Sequence, residues 1–281
     1  MKKASHRAVR LALQLSAAAL CAGAFGLAHA QAAAEVTLTR FADCGTPQAP
    51  IDVNARFSDT WAYSNLKLQF TYSCYLIKHG DEYMIWDTGQ PMSAGAVAPK
   101  TTLVDQLAQL SLKPEQIKYV GISHYHGDHT GQVASFPAAM LFIGKGDWDG
   151  LNAATPGPGV NPAPFAPWIK GGGKVEPLPA DKDVFGDGSV IILNAPGHTP
   201  GHHSLLVKLR ETGAVLISGD LAHFHENYES NGVPSFNSSR SETLASLDRF
   251  KKIAAGLKAK VILQHDVRDV NKLPAFPAAA K

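Results

Sequence analysis

Apolar and polar positions alternate along the chain in blocks that read as strands and helices. "TYSCYLIKHGDEYMIWDTG" (71–89) is two nearly continuous apolar runs around a polar "KHGDE". It predicts two strands joined by a turn, in a sheet covered on both faces. "TTLVDQLAQLSL" (101–112) places Leu103, Leu107 and Leu110 on one helical face. "IKYVGIS" (117–123) and "AMLFIG" (139–144) are short β-rich runs, and "GSVIILNAPGHTPGHHSLLVKL" (188–209) with "GAVLISGDLAHF" (213–224) gives three more. "SSRSETLASLDRFKKIAAGL" (238–257) predicts the best helix, with a cap near Ser241, Glu242 and Thr243 and with Leu244, Leu247 and Ile253 at helical intervals. "AKVILQHD" (259–266) closes the pattern with a strand. Strands alternating with helices predict a layered α/β fold.

A histidine or aspartate follows the end of several predicted strands, at His124, His198, Asp220 and His265. Structural histidines would scatter over core and surface instead. The densest case is "SHYHGDHTGQ" (123–132), which holds His124, His126, Asp128 and His129 within six positions. Protonated, these imidazoles would repel one another; buried without partners, they would cost several kcal/mol. A metal ion removes both objections, and imidazole with carboxylate suits zinc and its neighbours. His124 and His126 are two apart on an extended stretch and can turn toward one ion. Asp128 and His129, beyond Gly127, can reach a second.

Composition is ordinary for a globular chain: 281 residues, 45% hydrophobic and 18% charged. The first thirty residues stand apart. A basic start, an apolar run and "AHA" at 28–30 form the plan of a secretory signal peptide, with cleavage expected after Ala30. Residues 31–281 would then be a single domain in the bacterial periplasm or outside the cell. Removing Lys2, Lys3, Arg7 and Arg10 takes the formal net charge from +2 to −2. No basic patch with interleaved aromatics points to nucleic acid, and no membrane association is expected after cleavage. Cys44 and Cys74 remain, as a disulfide or as two buried thiols. Without a CxxC, cysteine-ligated zinc is not expected.

"HYHGDHTG" matches the HxHxDH motif of the metallo-β-lactamase superfamily. "APGHTPGHHS" resembles its next histidine motif, "LISGDL" its bridging-aspartate motif and "ILQHD" its last histidine motif, in the family's order. The resemblance implies an αβ/βα four-layer sandwich. It implies two divalent ions, with zinc the first choice, one held by His124, His126 and His198 and the other by Asp128, His129 and His265, with Asp220 bridging. Two such ions, about 3.5–4 Å apart, would share a water and bring its pKa toward neutrality, so that hydroxide attacks an electrophilic carbonyl or phosphorus. Asp128 would also carry a proton. Asp87, in "WDTG", is expected to orient a ligand imidazole. His202, His203 and His225 have no place in the pattern.

The fold hosts many reactions and does not choose among them. Within the superfamily the chain looks most like the N-acyl homoserine lactone lactonases, through "SCYLIKHGDEYMIWDTG", "SHYHGDHTG", "APGHTPGHHSLLV" and the "QHD" ending. That implies a small-molecule substrate with an acyl chain. Many such lactonases carry a tyrosine three residues after the bridging aspartate, where it binds the lactone carbonyl oxygen; here His223 stands there, and a neutral imidazole can also donate one hydrogen bond. The Pro- and Gly-rich segment 149–173, with Trp148, Phe165 and Trp168, and "FSDTWAY" (57–63) are candidate walls for the acyl chain. The alternatives are a phosphotriesterase similar to methyl parathion hydrolases, a β-lactamase-like hydrolase, and a periplasmic zinc-binding protein. A homodimer is left open.

Overall fold

A computed structural model describes residues 34–281; the expected signal peptide lies outside them. Apolar runs become strands where the sequence places them. The first sheet consists of Val36–Arg40 (β1), Tyr75–His79 (β2), Glu82–Trp86 (β3), Ile117–Gly121 (β4), Met140–Gly144 (β5) and Val175–Leu178 (β6), paired in that order. β1–β2 and β2–β3 are antiparallel, and β3 to β6 run parallel. The second sheet holds Lys182–Asp183 (β7), Val190–Asn194 (β8), His203–Leu209 (β9), Gly213–Ile217 (β10) and Lys260–Ile262 (β11). Its strands are antiparallel except for the parallel pair β10–β11.

Side-chain alternation divides the apolar residues among three cores. Tyr75, Ile77, Met84 and Trp86 face Val190, Ile192, Leu205, Val207, Val215 and Ile217 between the sheets. Leu76 and Ile85, one residue out of step, point to the opposite face and meet Leu103, Leu107 and Phe165. On the far side of the second sheet, Leu193, Leu206 and Leu216 pack on Leu247, Phe250 and Ala254 of the helix Arg240–Leu257. Three cores between four layers is the sandwich that the family resemblance implies. No helix among the described residues is long and apolar enough to cross a membrane.

Two local expectations need correction or completion. The long helix begins at Arg240 with Ser239 as its cap, the Ser239 side chain accepting from Glu242 N, two residues before the predicted Ser241. Ser238 and Ser239 win because their backbone amides bond His198 O and Gly197 O, which fixes the chain just ahead of the helix. Cys44 and Cys74 form a disulfide with Cα atoms 5.9 Å apart. It fastens the segment after β1 to the start of β2.

Candidate metal centre

Every predicted ligand lies just past the C-terminal end of a strand, at one edge of the two sheets. β4 leads to His124 and on to His126, Asp128 and His129; β8 leads to His198, β10 to Asp220 and β11 to His265. The structure brings all seven together. One potential ligand atom from each of His124, His126, His198 and Asp220 lies within 4.8 Å of the others, and Asp128, His129 and His265 meet the same limit. Asp220 spans both groups. Its Oδ1 is 3.0 Å from His129 Nε2 and 2.8 Å from His265 Nε2, while Oδ2 is 3.2 Å from His198 Nε2 and 3.7 Å from His124 Nε2.

The hydrogen bonds on the outer ring nitrogens decide what the inner ones offer. His265 Nδ1 lies 2.7 Å from Thr71 O, a carbonyl that only accepts, so Nδ1 carries the hydrogen. His129 Nδ1 likewise donates to Asp87 Oδ2 at 2.9 Å. His198 Nδ1 meets Asn237 Oδ1 at 2.9 Å, and that amide's orientation is fixed because its Nδ2 donates to Thr243 Oγ1. In the neutral imidazoles the Nε2 atoms of His129, His198 and His265 are therefore bare lone pairs. His129 Nε2 and His265 Nε2 face each other at 3.1 Å with a carboxylate oxygen beside them. His126 Nδ1 lies 2.9 Å from His124 Nε2 and 3.0 Å from His198 Nε2. Converging lone pairs, buried, need a cation. The donor set fits two divalent ions, each with imidazole and carboxylate.

The electrostatics agree. Burial, then the neighbouring His129, hold the His124 imidazole well below its ordinary value, with His198 and His126 adding to the depression. Burial opposes charge on His129 too, but the carboxylates of Asp220, Asp87 and Asp128 together push its pKa well above normal. Burial works against the Asp220 carboxylate, and the imidazoles around it outweigh that and hold it well below the usual range. The carboxylates thus favour positive charge beside Asp220 and His129, while the His124 ring itself is held neutral.

Asp87 has the orienting place expected of it, its Oδ1 also accepting Ser123 N at 2.7 Å. His202 donates from Nδ1 to Ala195 O, and its Nε2 accepts Asp220 N at 2.8 Å, so it holds the bridging residue's backbone. His203 and His225 are bonded elsewhere, to Gly201 O and Asp269. His223 Nε2 lies 3.1 Å from Asp220 Oδ2 and donates to it; its buried Nδ1 has no partner. Burial lowers the His223 pKa to about 4, so the ring is neutral at pH 7. Its single hydrogen is therefore directed at Asp220.

A cavity of about 320 Å³ opens above the ligands, with His126, Asp128, His198, Asp220 and His223 in its floor and wall. Phe57, Phe70 and Phe236 give it an apolar side; Gln48, Arg56, Tyr72 and Gln90 give it a polar one. "FSDTWAY" contributes Phe57 only, since Trp61 is 68% exposed. Trp148, Phe165 and Trp168 do not line the cavity. Phe165 and Trp168 are buried in the core with Phe136 and Leu151, Trp168 Nε1 donating to Ala139 O, and Trp148 packs against the same core. Their segment covers the outer face of the first sheet, and its turn at Gly159 approaches the site, where an added Cβ would come within 3.3 Å of His126 Nε2.

Gln48, Arg56, Phe70, Tyr72, Gln90 and Phe236 line the cavity without having been singled out by the sequence, and Tyr72 is the one among them with a phenol to offer. Its ring stands edge-on to His265, and its hydroxyl accepts from Gln48 Nε2, which leaves the hydroxyl hydrogen for another acceptor. Only its position two residues before Cys74, in a strand lead-in, marked it, and that is no signal of function.

Residues 69–265 match the model of the metallo-beta-lactamase superfamily. The N-acyl homoserine lactonase AttM of Rhizobium radiobacter is 32% identical over 193 residues, which are 62% of this chain and 69% of the relative. A solved N-acyl homoserine lactone hydrolase, with the product N-hexanoyl-L-homoserine bound at its catalytic metal center, superposes with a TM-score of 0.71 at 23% identity, over 88% of this chain and 99% of that one. AidC, a dizinc quorum-quenching lactonase, superposes at 0.64 and 19% identity over 88% and 90%. Motif order, four-layer architecture, ligand geometry and these likenesses agree: the chain belongs to the metallo-beta-lactamase superfamily.

Proposed function

We propose that this chain is a metal-dependent hydrolase that opens the lactone ring of N-acyl homoserine lactones, and so destroys quorum signals. The observation that carries the reading is the convergence of five imidazoles and two carboxylates, three of the imidazoles with a bare nitrogen turned inward, at the floor of a half-apolar cavity. His124, His126 and His198 would hold one divalent ion, and Asp128, His129 and His265 the other, with Asp220 shared. Zinc is our choice of metal, supported by the imidazole-rich donor set and by the dizinc neighbour. Bound divalent ions supply Lewis acidity toward a carbonyl oxygen and make a water acidic enough to act as a nucleophile near neutral pH.

The chain's own groups do the rest. Phe57, Phe70 and Phe236 take an acyl chain out of water. Tyr72 offers its hydroxyl hydrogen to a substrate oxygen from the polar wall. Asp128 is 21% exposed, the more open of the two ligand carboxylates; it would take the proton that the attacking water gives up and pass it to the departing ring oxygen. His223 steadies Asp220 through its Nε2 hydrogen, from the edge of the cavity. Export to the periplasm or beyond the cell belongs to the same proposal, supported by the leader pattern in residues 1–30.

The test is a panel of substrates given to the purified protein: acyl homoserine lactones of short and long chain, a parathion-type triester and nitrocefin. Lactone kcat/KM exceeding the others by orders of magnitude is expected. Inert lactones beside a rapidly cleaved triester would transfer the function to the triesterase class.

A further inference from the structure

Two loops carry the three imidazoles of the first group: the stretch after β4, with His124 and His126, and the stretch after β8, with His198. Asp147 belongs to neither ligand group. It sits in the first turn of the helix Lys145–Leu151 that follows β5, and it is fully buried. Its carboxylate lies between the two loops. Oδ2 accepts Tyr125 N at 3.0 Å and Thr199 Oγ1 at 2.8 Å, and Oδ1 accepts Gly201 N at 2.7 Å. Tyr125 separates His124 from His126, and Thr199 follows His198.

The fit around this carboxylate leaves no slack. A Cβ on Gly201 would come within 2.4 Å of Asp147 N, and one on Gly144 within 1.8 Å of Gly201 O. The start of the helix is thus pressed onto the 199–201 turn. No basic side chain pairs with Asp147 among the described residues, and burial pushes its pKa up to about 6 in spite of the three hydrogen bonds. A carboxylate buried without a counter-ion is costly to keep, so its value to the fold has to be sought in what it connects.

The second ligand group shares the stretch after β4 through Asp128 and His129, which lie beyond His126 in the turn Gly127–Thr130, but the hydrogen bonds that orient its imidazoles are different ones. Asp87 orients His129, and Thr71 O orients His265. Gln264 donates to Asp87 Oδ2 at 3.0 Å and accepts from Gly219 N at 2.9 Å, next to Asp220. Asp147 makes no hydrogen bond to any of these residues.

We propose that Asp147 is a positioning residue for one half of the metal centre. It sets the spacing between the His124–His126 pair and His198, and with it the affinity of that half for a divalent ion, while the Asp128–His129–His265 half is independent of it. The proposal rests on the two-ion reading above.

The experiment titrates Co2+ into the metal-free full-length protein and follows its visible absorption. Asp147→Asn keeps the side chain's shape but turns an NH2 toward at least one of the three donors. One of the two equivalents should weaken by about 10–100-fold, with the other unchanged within about twofold. The same loss is expected in a His265→Ala background, and none in a His198→Ala background. Equal weakening of both equivalents, or the same loss in the His198→Ala background, would show a general structural role and overturn the proposal. Thr199→Val, which deletes one of the three hydrogen bonds, should give a smaller loss on the same side and serves if the Asn variant fails to fold; an unchanged first half there also counts against Asp147. A wild-type protein that takes up fewer than two equivalents would overturn the two-ion reading and this proposal together, whereas the other adverse results overturn this proposal alone.

Discussion

Asp87 Oδ2 accepts the Nδ1 hydrogen of His129 at 2.9 Å, and that bond turns the opposite nitrogen, Nε2, toward Asp220 and His265. Asp87 does this from the left-handed backbone region, at φ 55°, where a residue kept only for packing is rarely found. Asp87→Ala should lower the affinity of the His129 half by about 10–100-fold. Metal content after dialysis against a weak chelator measures this; full retention of both ions would show that His129 needs no such partner.

Tyr72 and His223 face the cavity from different elements. Tyr72→Phe removes only the hydroxyl and keeps the edge contacts with Phe70 and His265. Loss of one hydrogen bond, about 0.5–1.5 kcal/mol, should reduce kcat/KM by about 2- to 13-fold with metal content unchanged. His223→Phe should raise KM or lower kcat, again with both metals retained. Steady-state kinetics on one lactone check both variants, and an unchanged kcat/KM would remove the residue concerned from the mechanism.

Much of this site was legible because metal ligation leaves a local trace. Histidines at the ends of apolar runs do not arise from packing alone, so His124, His198, Asp220 and His265 stood out before any contact was known. Cavity walls leave no such trace. Phe165 and Trp168 look like pocket residues in sequence, but the same apolar aromatics serve equally well as core, and here they cover the first sheet. Arg56, Tyr72 and Gln48 meet over the ligands only because separate segments converge there. Asp147 was invisible for a related reason: its partners, Tyr125, Thr199 and Gly201, are brought to it by the fold. The cap of the last helix could not be chosen among Ser238, Ser239 and Ser241 without the bonds to Gly197 and His198.

His225 gives a pH dependence that lies outside the ligand groups. Its Nε2 bonds Asp269 Oδ1 at 2.8 Å, which raises the imidazole pKa, with burial opposing and the charges of Asp269 and Asp266 assisting. A pKa raised on folding stabilises the protein fully below the unfolded value of about 6.5, and that stabilisation disappears as pH rises through the folded value. The Tm difference between wild type and His225→Gln should therefore be largest near about pH 5.5 and shrink above neutrality. A difference that is constant with pH would show that the imidazole's charge is not involved.

The Cys44–Cys74 bond closes a loop with a sequence separation of 30. Chain-entropy reasoning gives such a cross-link about 3–4 kcal/mol. Urea unfolding of the Cys44→Ser/Cys74→Ser protein should show a loss of that order beside the oxidised wild type, and equal stability would show that the bond constrains nothing in the unfolded chain.

The decisive measurement follows lactone opening while metal is returned to the metal-free protein. Proton release from N-hexanoyl homoserine lactone is recorded at each equivalent of Zn2+, with ring-opened product confirmed by mass. Little turnover at one equivalent, full turnover at two, and complete loss with EDTA is the expected result. Lactone opening that persists without metal, or no opening with both equivalents bound, would contradict the assignment.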